Sequence, residues 1–507
     1  MRGILYNAFI RTSNFGHRLD KRIIRTMSTH YDAVIIGSGQ GGTPLSTTFA
    51  QAKHKTALIE SSHVGGCCIN EGCTPTKTLI ASGRAAYLTR RGPQYGIYSS
   101  NNSDATNNEV RVNMETVRQR KRDIVNSFRS GSERRVREAG VDLIMGTASF
   151  KDERTIEVLG ADGVQKALTA DRIFICSGER PAIPAIDGFN PDSFPPDVIL
   201  DSTSVQELGV VPSHLVVIGG GYIGLEFGQL FRRLGAAVTI IQRGEQLVPR
   251  EDSEVAESML NILKEDGIQV LLQATPAAIR ATSSQDPATA VEVSVAVPSQ
   301  DRPSKLSASH LLFAAGRTPN TDKLNLAAAG IDTTSRGHVV TDTQLRTTNP
   351  RVWALGDVKG GPAFTHVSYD DFRLLCTNLL ENGTLTTTDR IIPYVVYTDP
   401  QLGHVGLHEH EARAKFPGRK IQVASMPMSY VARALETDES RGMMKAVIDA
   451  ESQQILGFTC LGIEGGEIMS QVQMAMIGKV KWPALSNAIW AHPSLAESLN
   501  NVWGFLK

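Results

Sequence analysis

The chain has 507 residues, which is too long for one hydrophobic core and predicts about three domains. Its 52 basic and 52 acidic side chains balance, so no overall charge favours nucleic acid or anionic lipid as a partner. Six cysteines in so long a chain exclude a secreted disulfide scaffold, and no apolar run approaches the ~18 residues of a membrane-spanning helix.

Residues 1–27 differ in composition from the rest of the chain. They contain six basic side chains and a single acid, Asp20. A basic, acid-poor leader is typical of a mitochondrial transit peptide. The alternative is an ordinary disordered N-terminal tail of the same composition. We therefore expect a mitochondrial matrix protein, or a cytoplasmic one if translation starts at Met27.

The first motif follows an apolar run at residues 34–36. Three glycines stand in the spacing G-x-G-x-x-G: Gly37, Gly39 and Gly42. This pattern predicts a strand, a tight turn and a helix start whose backbone N–H groups hold a pyrophosphate. Glu60 ends the next apolar run, where an acidic side chain can bind a ribose hydroxyl. Together these residues predict a dinucleotide site.

Two cysteines, Cys68 and Cys73, follow this motif. The spacing C-x4-C is not usual for zinc and no second Cys/His pair accompanies it, so we expect no metal site. On a regular helix, residues five apart diverge by about 140°, so a bridge needs distorted backbone, which Asn70, Gly72 and Pro75 make plausible. The alternative is two buried free thiols. A dithiol next to a dinucleotide site instead predicts electron transfer between a flavin and a disulfide.

The opening pattern recurs 182 residues later. A second G-x-G-x-x-G follows an apolar run and precedes a helical stretch at 225–234; its glycines are Gly219, Gly221 and Gly224. Two copies predict two dinucleotide domains, with FAD in the first and a nicotinamide nucleotide in the second.

The same register identifies Gln242 as the counterpart of Glu60. Glutamine carries no charge to repel a 2′-phosphate. Arg243 follows it directly and Arg250 lies in the next loop, and a guanidinium group is a suitable partner for a phosphate. The negative charge of Glu245 disfavours a 2′-phosphate nearby, and the alternative for Arg243 is a solvated loop charge. We expect NADPH to be preferred, with NADH as the alternative.

The pattern changes after about residue 390. Strands are predicted at 395–400, 443–448 and 455–461, and helices at 467–480 and 494–502. His492 precedes the last of these helices, which starts with Pro493, and Glu497 follows five residues later. Such spacing can place the carboxylate against one ring nitrogen, which fixes the tautomer and raises the basicity of the imidazole. A surface histidine beside a helix start is the alternative.

Residues 65–77 resemble the active-site signature of the class I pyridine nucleotide–disulfide oxidoreductases, a family that includes glutathione reductase, dihydrolipoamide dehydrogenase and mercuric reductase. The resemblance covers roughly residues 31–501 and is closest to the mercuric-reductase-like branch. It implies that Cys68 exchanges with substrate, that the Cys73 thiolate contacts the flavin, and that Lys77 lies near flavin N5.

Further segments match the same resemblance. They imply that Gly178 ends the strand leaving the FAD domain, that Gly316 lies on the return, and that Asp357 binds ribityl hydroxyls. Glu226 would lie near the nicotinamide. The alternatives are an N-cap role for Asp357 and a polar position in an apolar helix for Glu226.

The resemblance also implies a homodimer with a shared active site, in which His492, held by Glu497, serves the partner chain. Two residues depart from the disulfide reductases: Trp490 stands where histidine is frequent, and Ser494 where threonine is. True mercuric reductases carry a vicinal cysteine pair near the C-terminus, whereas the last cysteine here is Cys460. Cys67 is an extra thiol, expected to be small and buried.

The expected fold class is α/β, with two Rossmann-like dinucleotide-binding domains and an α+β C-terminal dimerisation domain. The expected divisions are a transit peptide at 1–27, a discontinuous FAD domain at 28–190 and 310–385, an NAD(P) domain at 191–309 and a dimerisation domain at 386–507.

The expected function is passage of electrons from NADPH through FAD and the Cys68–Cys73 disulfide to a small disulfide or similar acceptor. Two alternatives remain open. One is a metal-ion or quinone reductase of the mercuric-reductase-like type. The other is a dihydrolipoamide dehydrogenase subunit docked in a multienzyme complex.

Overall fold

The computed structural model describes residues 28–98, 110–187, 189–282, 286–298 and 302–507. The predicted transit peptide at 1–27 therefore lies outside the described residues. Within the described ranges, no helix is both long and apolar enough to cross a bilayer.

The first domain begins with strands that alternate with helices. Its early elements are β1 (Thr29–Ile36), α1 (Gly42–Gln51), β2 (Thr56–Glu60), α2 (Gly66–Asn70), α3 (Cys73–Arg91), α4 (Met114–Glu138), β3 (Asp142–Met145), β4 (Thr147–Phe150), β5 (Thr155–Leu159) and β6 (Gln165–Ile175). Strand β1 lies between β2 and β6, and its alternate residues pack into two different core clusters. Burial on both faces explains the continuous apolar run before the first glycine motif.

The second domain is inserted after β6. Its elements are β7 (Glu179–Pro181), β8 (Ile199–Leu200), β9 (His214–Ile218), α5 (Tyr222–Leu234), β10 (Ala237–Ile241), α6 (Ser253–Glu265), β11 (Gln269–Leu271), β12 (Thr275–Ala281), β13 (Val291–Ala296), β14 (Ser304–Ala308), β15 (His310–Phe313) and β16 (Arg317–Pro319). A parallel sheet has the order β11-β10-β9-β15-β8, and β12-β13-β14 form an antiparallel sheet beside it. Strands β7 and β16 pair with each other as the chain leaves and re-enters the first domain.

The chain then returns to the first sheet. Strand β17 (Val352–Ala354) pairs with β6, and α7 (Thr365–Leu380) follows. The completed sheet has the order β3-β2-β1-β6-β5-β4, with β17 beside β6. The two-sheet, doubly wound arrangement agrees with the predicted fold class.

One predicted domain boundary does not match the strand pairing. The sequence-based division assigns residue 310 to the FAD domain, but β15 pairs with β8 and β9 inside the second sheet. A short apolar strand fits either parallel sheet equally well, so periodicity alone cannot assign it. We place the return to the first domain at the β7–β16 pair instead.

The C-terminal domain is an antiparallel sheet with helices. Its elements are β18 (Pro393–Val396), β19 (Gln401–Gly406), α8 (Glu409–Lys415), β20 (Ile421–Pro427), α9 (Ala432–Glu436), β21 (Met443–Asp449), β22 (Ile455–Gly462), α10 (Gly465–Ile477), α11 (Trp482–Ser486) and α12 (Ser498–Asn501). The order is β18-β19-β22-β21-β20. One face packs on α10, while Leu402 and Leu461 on the other face join the core of the second domain.

The last predicted helix is shorter than expected. Residues 494–502 were predicted as helix, but α12 begins only at Ser498, and residues 491–497 form a bend and turn. A proline at the first helical position is favourable but does not by itself start a helix. His492 and Glu497 therefore lie on a turn and do not span a helix.

Candidate active site

A cavity of about 860 Å³ opens where the carboxyl ends of β1, β2 and β6 meet the C-terminal domain. Ligands of open α/β sheets bind at this edge. The lining includes both cysteines of the C-x4-C pair together with Lys77, Glu226 and Asp357. Side chains from all three domains thus face one space.

The first glycine motif has the shape that a pyrophosphate requires. Gly37 has a φ of +102°, and a Cβ on it would lie 2.4 Å from the Cys176 carbonyl oxygen. A Cβ on Gly42 would lie 2.0 Å from the Gly37 carbonyl oxygen, whereas one on Gly39 would meet nothing within 4 Å. Two glycines are therefore required by the turn and the helix contact, and the third leaves open backbone facing the cavity. This cradle fits FAD.

Two carboxylates line the same cavity. Glu60 ends β2, and its Oε2 accepts hydrogen bonds from the Ser38 amide at 3.1 Å and hydroxyl at 2.6 Å. Burial raises the pKa of Asp357 to about 6. A buried carboxylate needs hydrogen-bond donors, which ribose and ribityl hydroxyls supply.

Gly178 and Gly316, at the two crossings between domains, have φ values of +64° and +146°.

The helix break between the cysteines brings their thiols together. Helix α2 carries Cys68 and ends at Asn70, and α3 starts at Cys73 after Gly72, whose φ and ψ of −117° and −116° are not helical. The two thiols lie close enough for each to shift the pKa of the other. The distorted backbone predicted at Gly72 is therefore present. Pro75 lies within the first turn of α3 and is not part of the break.

The two thiols have opposite electrostatic character. A hydrogen bond from the Cys68 thiol is the main reason that the pKa of Cys73 falls to about 5. The Thr365 hydroxyl, 3.4 Å from Cys73 Sγ, and the charge of Lys77 act in the same direction. The bond to Cys73 and burial raise the pKa of Cys68. Cys73 is thus the thiolate of the reduced pair and Cys68 the thiol.

Lys77, which is partly exposed, forms an ion pair with the buried Glu226 beside the cysteines. Its Nζ lies 2.7 Å from Glu226 Oε2 and 4.7 Å from the centre of the Tyr397 ring. Glu226 Oε1 also accepts the Tyr397 backbone N–H at 2.9 Å. Burial alone would lower the pKa of Lys77, but the Glu226 carboxylate outweighs it and the pKa is raised. Lys77 remains a cation, and the contacts join α3, α5 and the C-terminal domain.

Sequence reasoning missed several residues of this site. Thr365 lies 292 residues after Cys73, and Tyr397 stands in an ordinary strand end. Arg317, in the return strand β16, lies 3.6 Å from the Cys67 sulfur. Arg317 directly follows Gly316, but nothing in the sequence links it to Cys67. Burial raises the pKa of Cys67, and the residue is partly exposed, so it is less buried than expected.

The second glycine motif repeats the geometry of the first. Gly219 has a φ of +119°, and a Cβ on Gly224 would lie 2.0 Å from the Gly219 carbonyl oxygen. A Cβ on Gly221 would meet nothing within 4 Å. Gln242 Oε1 accepts the Gly220 N–H at 3.1 Å, as Glu60 does for Ser38. The second motif therefore offers the same open backbone for a pyrophosphate.

The charged residues after Gln242 lie at the surface. Arg243, Glu245 and Arg250 are all exposed. Within the described part of the chain, the exposed Arg243 forms no ion pair. Its guanidinium is therefore available to a ligand, and so is the carboxylate of Glu245.

His492 and Glu497 form the predicted pair away from the cavity. His492 Nδ1 lies 3.0 and 2.9 Å from the two Glu497 carboxylate oxygens. The imidazole is 67% exposed and does not line the cavity that holds Cys68. Trp490, the residue that departs from the disulfide reductases, donates its indole N–H to the Leu485 carbonyl at 3.0 Å. Within one chain, the histidine and the cysteines are not brought together.

Comparison with known proteins gives matches along nearly the whole chain. Residues 31–371 match the family "Pyridine nucleotide-disulphide oxidoreductase", and residues 392–502 match its dimerisation domain. The probable pyridine nucleotide-disulfide oxidoreductase RclA of Escherichia coli K12 is 34% identical over 94% of this chain and 99% of its own. A mercuric reductase of Bacillus cereus is 34% identical over 92% of this chain and 70% of its own. Dihydrolipoyl dehydrogenase of Bacillus subtilis is 29% identical over 92% and 97%.

Solved structures agree with these matches. The Cu(II) complex of the HOCl-induced flavoprotein disulfide reductase RclA from E. coli superposes with a TM-score of 0.83 at 34% identity, covering 94% of this chain and all of that one. A second solved structure of HOCl-induced flavoprotein disulfide reductase RclA from E. coli gives a TM-score of 0.81 at 33% identity. The fold predicted from the glycine motifs is confirmed.

The comparisons correct the predicted location. The three relatives named are bacterial proteins, and bacteria have no mitochondria. The basic segment that suggested a transit peptide lies outside the described residues. The expectation of a mitochondrial matrix enzyme is therefore wrong and is withdrawn.

The matched dimerisation domain supports a homodimer. Relatives that share both domains use FAD and a nicotinamide nucleotide, and the two glycine motifs provide one site for each. The chain therefore belongs to the pyridine nucleotide–disulfide oxidoreductase family and is an FAD- and NAD(P)H-dependent oxidoreductase that acts on sulfur groups.

Proposed function

We propose that this enzyme passes electrons from NADPH through FAD and the Cys68–Cys73 pair to a small disulfide. One observation carries the proposal. Cys73 is held as a thiolate in the shared cavity, because the Cys68 thiol donates to it and Lys77 and Thr365 add to the stabilisation. A thiolate stabilised beside a neutral thiol is the reduced state that a disulfide-exchanging pair needs.

Residues of the first domain would hold FAD. The backbone at Gly37, Gly39 and Gly42 would take the pyrophosphate, and Glu60 and Asp357 would take the hydroxyl groups, with Gly178 and Gly316 beside the site. When bound, FAD accepts a hydride from the reduced nicotinamide and delivers the electron pair to the cysteines. Lys77 would keep a positive charge next to Cys73 and to the ring.

Residues of the second domain would hold NADPH. The open backbone of Gly219, Gly221 and Gly224 would take the pyrophosphate, and Glu226 would lie by the nicotinamide. Arg243 would meet the 2′-phosphate, since Gln242 is uncharged and already donates to the Gln246 carbonyl at 3.0 Å. The exposed Glu245 is the group that opposes this preference.

Exchange with substrate would begin at Cys68. The raised pKa of Cys68 means that it needs a base before it attacks a disulfide. We assign that base to His492 of the partner subunit, because no histidine–carboxylate pair lines the cavity in the described part of this chain. Glu497 accepts from Nδ1, which leaves Nε2 to take the Cys68 proton and return it to the leaving thiolate.

A metal ion is a second candidate acceptor. RclA of E. coli, 34% identical, has been solved as a Cu(II) complex, and a mercuric reductase of Bacillus cereus is 34% identical over 92% of this chain. A cavity with a thiolate–thiol pair would bind a soft or borderline ion, and electrons from the dithiol would reduce it.

An acceptor screen tests the proposal. FAD-loaded dimer would be mixed with NADPH and one acceptor at a time: a small disulfide, Cu²⁺ or a quinone. Lipoamide would be tested with NADH. We expect the highest kcat/KM with a disulfide, and Cys68→Ser should abolish that activity. Turnover of the metal or quinone that exceeds disulfide turnover, or that survives Cys68→Ser, would contradict the assigned acceptor.

A further inference from the structure

A short segment of the C-terminal domain contacts both helices that carry the Lys77–Glu226 ion pair. This segment, residues 397–399, directly follows β18. Tyr397 lines the cavity, and Val396 before it is buried in the core of the second domain. The C-terminal domain therefore reaches the active cavity through this segment.

Helix α5 is bonded to the segment at three positions. Glu226 Oε1 accepts the Tyr397 N–H at 2.9 Å. The Gln229 side chain exchanges two hydrogen bonds with the Asp399 backbone, accepting at 2.7 Å and donating at 2.9 Å. Arg233 forms an ion pair with the Asp399 carboxylate. The three α5 residues are three and four positions apart, which places them on one face of the helix, and the segment runs along that face.

Helix α3 contacts the same segment at two positions. Lys77 Nζ lies 4.7 Å from the centre of the Tyr397 ring, and Arg84 pairs with the Asp399 carboxylate at 2.5 Å. The two basic residues are seven positions apart, about two helical turns, and so they lie on the same side of α3. The segment thus ties α3 to α5 at the point where the ion pair forms.

Tyr397 is the residue of the segment that contacts both charges of the ion pair. Its backbone N–H binds Glu226, and its ring lies under the Lys77 ammonium, which also donates to Glu226 Oε2 at 2.7 Å. Burial raises the pKa of Tyr397, so the phenol is neutral and attracts the ammonium through the face of its ring. The Lys77 side chain is partly exposed and flexible, so the ring restricts a cation that could otherwise turn towards solvent.

We propose that Tyr397 is a positioning residue of the redox centre, whose ring holds the Lys77 ammonium where it stabilises the Cys73 thiolate. The inference deepens the proposed function and rests on it, because it concerns the thiolate beside FAD. Tyr397 acts through Lys77 and takes no part in making or breaking bonds. The C-terminal domain thereby contributes to the redox centre within its own chain.

The electrostatic surroundings of Cys73 give the direction of the expected effect. The groups that face this thiol come from several elements, and they are Cys68, Lys77, Glu226, Tyr222, Thr365, Asp357 and Tyr397. Lys77 is the cation of this set, and it favours the thiolate. Loosening the ammonium should therefore raise the pKa of Cys73.

The pH dependence of the long-wavelength absorbance of two-electron-reduced, FAD-loaded dimer tests the proposal. Tyr397→Leu removes the ring but keeps the backbone N–H that binds Glu226. We expect the pH at which the absorbance fades to rise by roughly 0.5 units in this variant. Tyr397→Phe keeps the ring face and is the matched control, with a transition within about 0.2 units of the wild type.

A second background separates positioning from general disturbance of the fold. In Lys77→Met there is no ammonium for the ring to hold, so adding Tyr397→Leu should cause no further shift. A merely structural role would shift the transition in both backgrounds. Tyr397→Met is a second variant without a ring, and flavin content with the melting temperature verifies that each variant is folded.

A shift with Tyr397→Leu that is absent from Tyr397→Phe and from the Lys77→Met background supports the proposal. No shift with Tyr397→Leu, or an equal shift in either comparison, overturns it and leaves the proposed electron route intact. A wild type that shows no long-wavelength absorbance on reduction would overturn the proposed route and this inference with it.

Discussion

Lys77 Nζ lies 2.7 Å from Glu226 Oε2, and this ion pair joins the helix after the cysteine pair to the helix after the second glycine motif. The Glu226 side chain is 4% exposed and that of Lys77 is 31% exposed. The two charges act on Cys73 in opposite directions, since Lys77 lowers the pKa of the thiol and Glu226 raises it. The pair therefore sets how strongly the thiolate is held.

Lys77→Met should raise the pKa of Cys73. The Lys77 cation favours the thiolate form of Cys73, so its removal should disfavour that form. In the two-electron-reduced wild type, the long-wavelength absorbance of the thiolate beside the flavin should persist above pH 5 and fade as the pH falls through about 5. In the variant it should fade at a higher pH. A pH titration of that absorbance makes the measurement.

Glu226→Gln is the matched control for Lys77→Met. It removes the neighbouring negative charge, so the absorbance should persist to a lower pH than in the wild type. If both substitutions shift the transition in the same direction, the ion pair does not control Cys73.

The two cysteines should differ in their spectra. Cys73→Ser should abolish the long-wavelength absorbance, because the thiolate that produces it is gone. Cys68→Ser leaves Cys73 unpaired and should show the absorbance even with oxidised flavin. Absorption spectra of both variants, each with FAD bound, are sufficient. Identical spectra would contradict the separate roles assigned to Cys68 and Cys73.

The sequence predicted the local parts of the site well because those parts depend on neighbouring residues. A glycine turn, the helix break at Gly72 and each copy of the repeated glycine motif are all encoded over short spans. The repeat even matches in its hydrogen bonds, with Glu60 accepting from Ser38 N–H and Gln242 from Gly220 N–H at 3.1 Å in both copies.

Contacts between distant segments could not be predicted in the same way. The Thr365 hydroxyl reaches Cys73 only through the return of the chain to the first domain. The ion pair of Lys77 with Glu226 likewise joins residues 149 positions apart. The predicted boundary at residue 310 put β15 in the first domain, because an apolar strand fits either parallel sheet.

The preference for NADPH depends on Arg243. Arg243→Ala should raise KM for NADPH more than for NADH. The difference should correspond to roughly 1–3 kcal/mol, the free energy of the charged hydrogen bonds that are lost. Gln242→Glu should act in the same direction by placing a carboxylate near the 2′-phosphate. Steady-state kinetics with both nucleotides provide the comparison. Arg250→Ala, which removes a second exposed arginine, is the control. Equal effects of Arg243→Ala on the two nucleotides would refute the assignment.

His492→Ala should slow the dithiol half-reaction and spare reduction of the flavin by NADPH. Loss of acid–base assistance costs about 10²–10⁴-fold. Glu497→Gln keeps the shape of its side chain but weakens the bond to Nδ1, so its effect should be smaller and pH-dependent. Stopped-flow mixing separates the two half-reactions. A slowed flavin reduction would place His492 elsewhere in the mechanism.

A mixed dimer tests whether the active site is shared. Homodimers of Cys68→Ser and of His492→Ala should both be nearly inactive with a disulfide. A heterodimer of the two has one site with an intact Cys68 and His492, if each site takes the histidine from the other chain. That heterodimer should recover about half of the wild-type activity, whereas sites contained within one chain would recover none.

Finally, Hg²⁺ should be a poor substrate, although mercuric reductases are among the relatives. A thiolate-held ion needs relay thiolates to reach a buried dithiol without release. Among the described residues, Cys376 and Cys460 are buried. Cys67 and Cys176 line the cavity, but burial raises the pKa of both thiols. Neutral thiols bind mercury weakly compared with thiolates. A small disulfide needs no relay and reaches Cys68 by diffusion. NADPH turnover with Hg²⁺ under excess external thiol should therefore be far slower than with the best disulfide, and sustained turnover at a comparable rate would overturn this prediction.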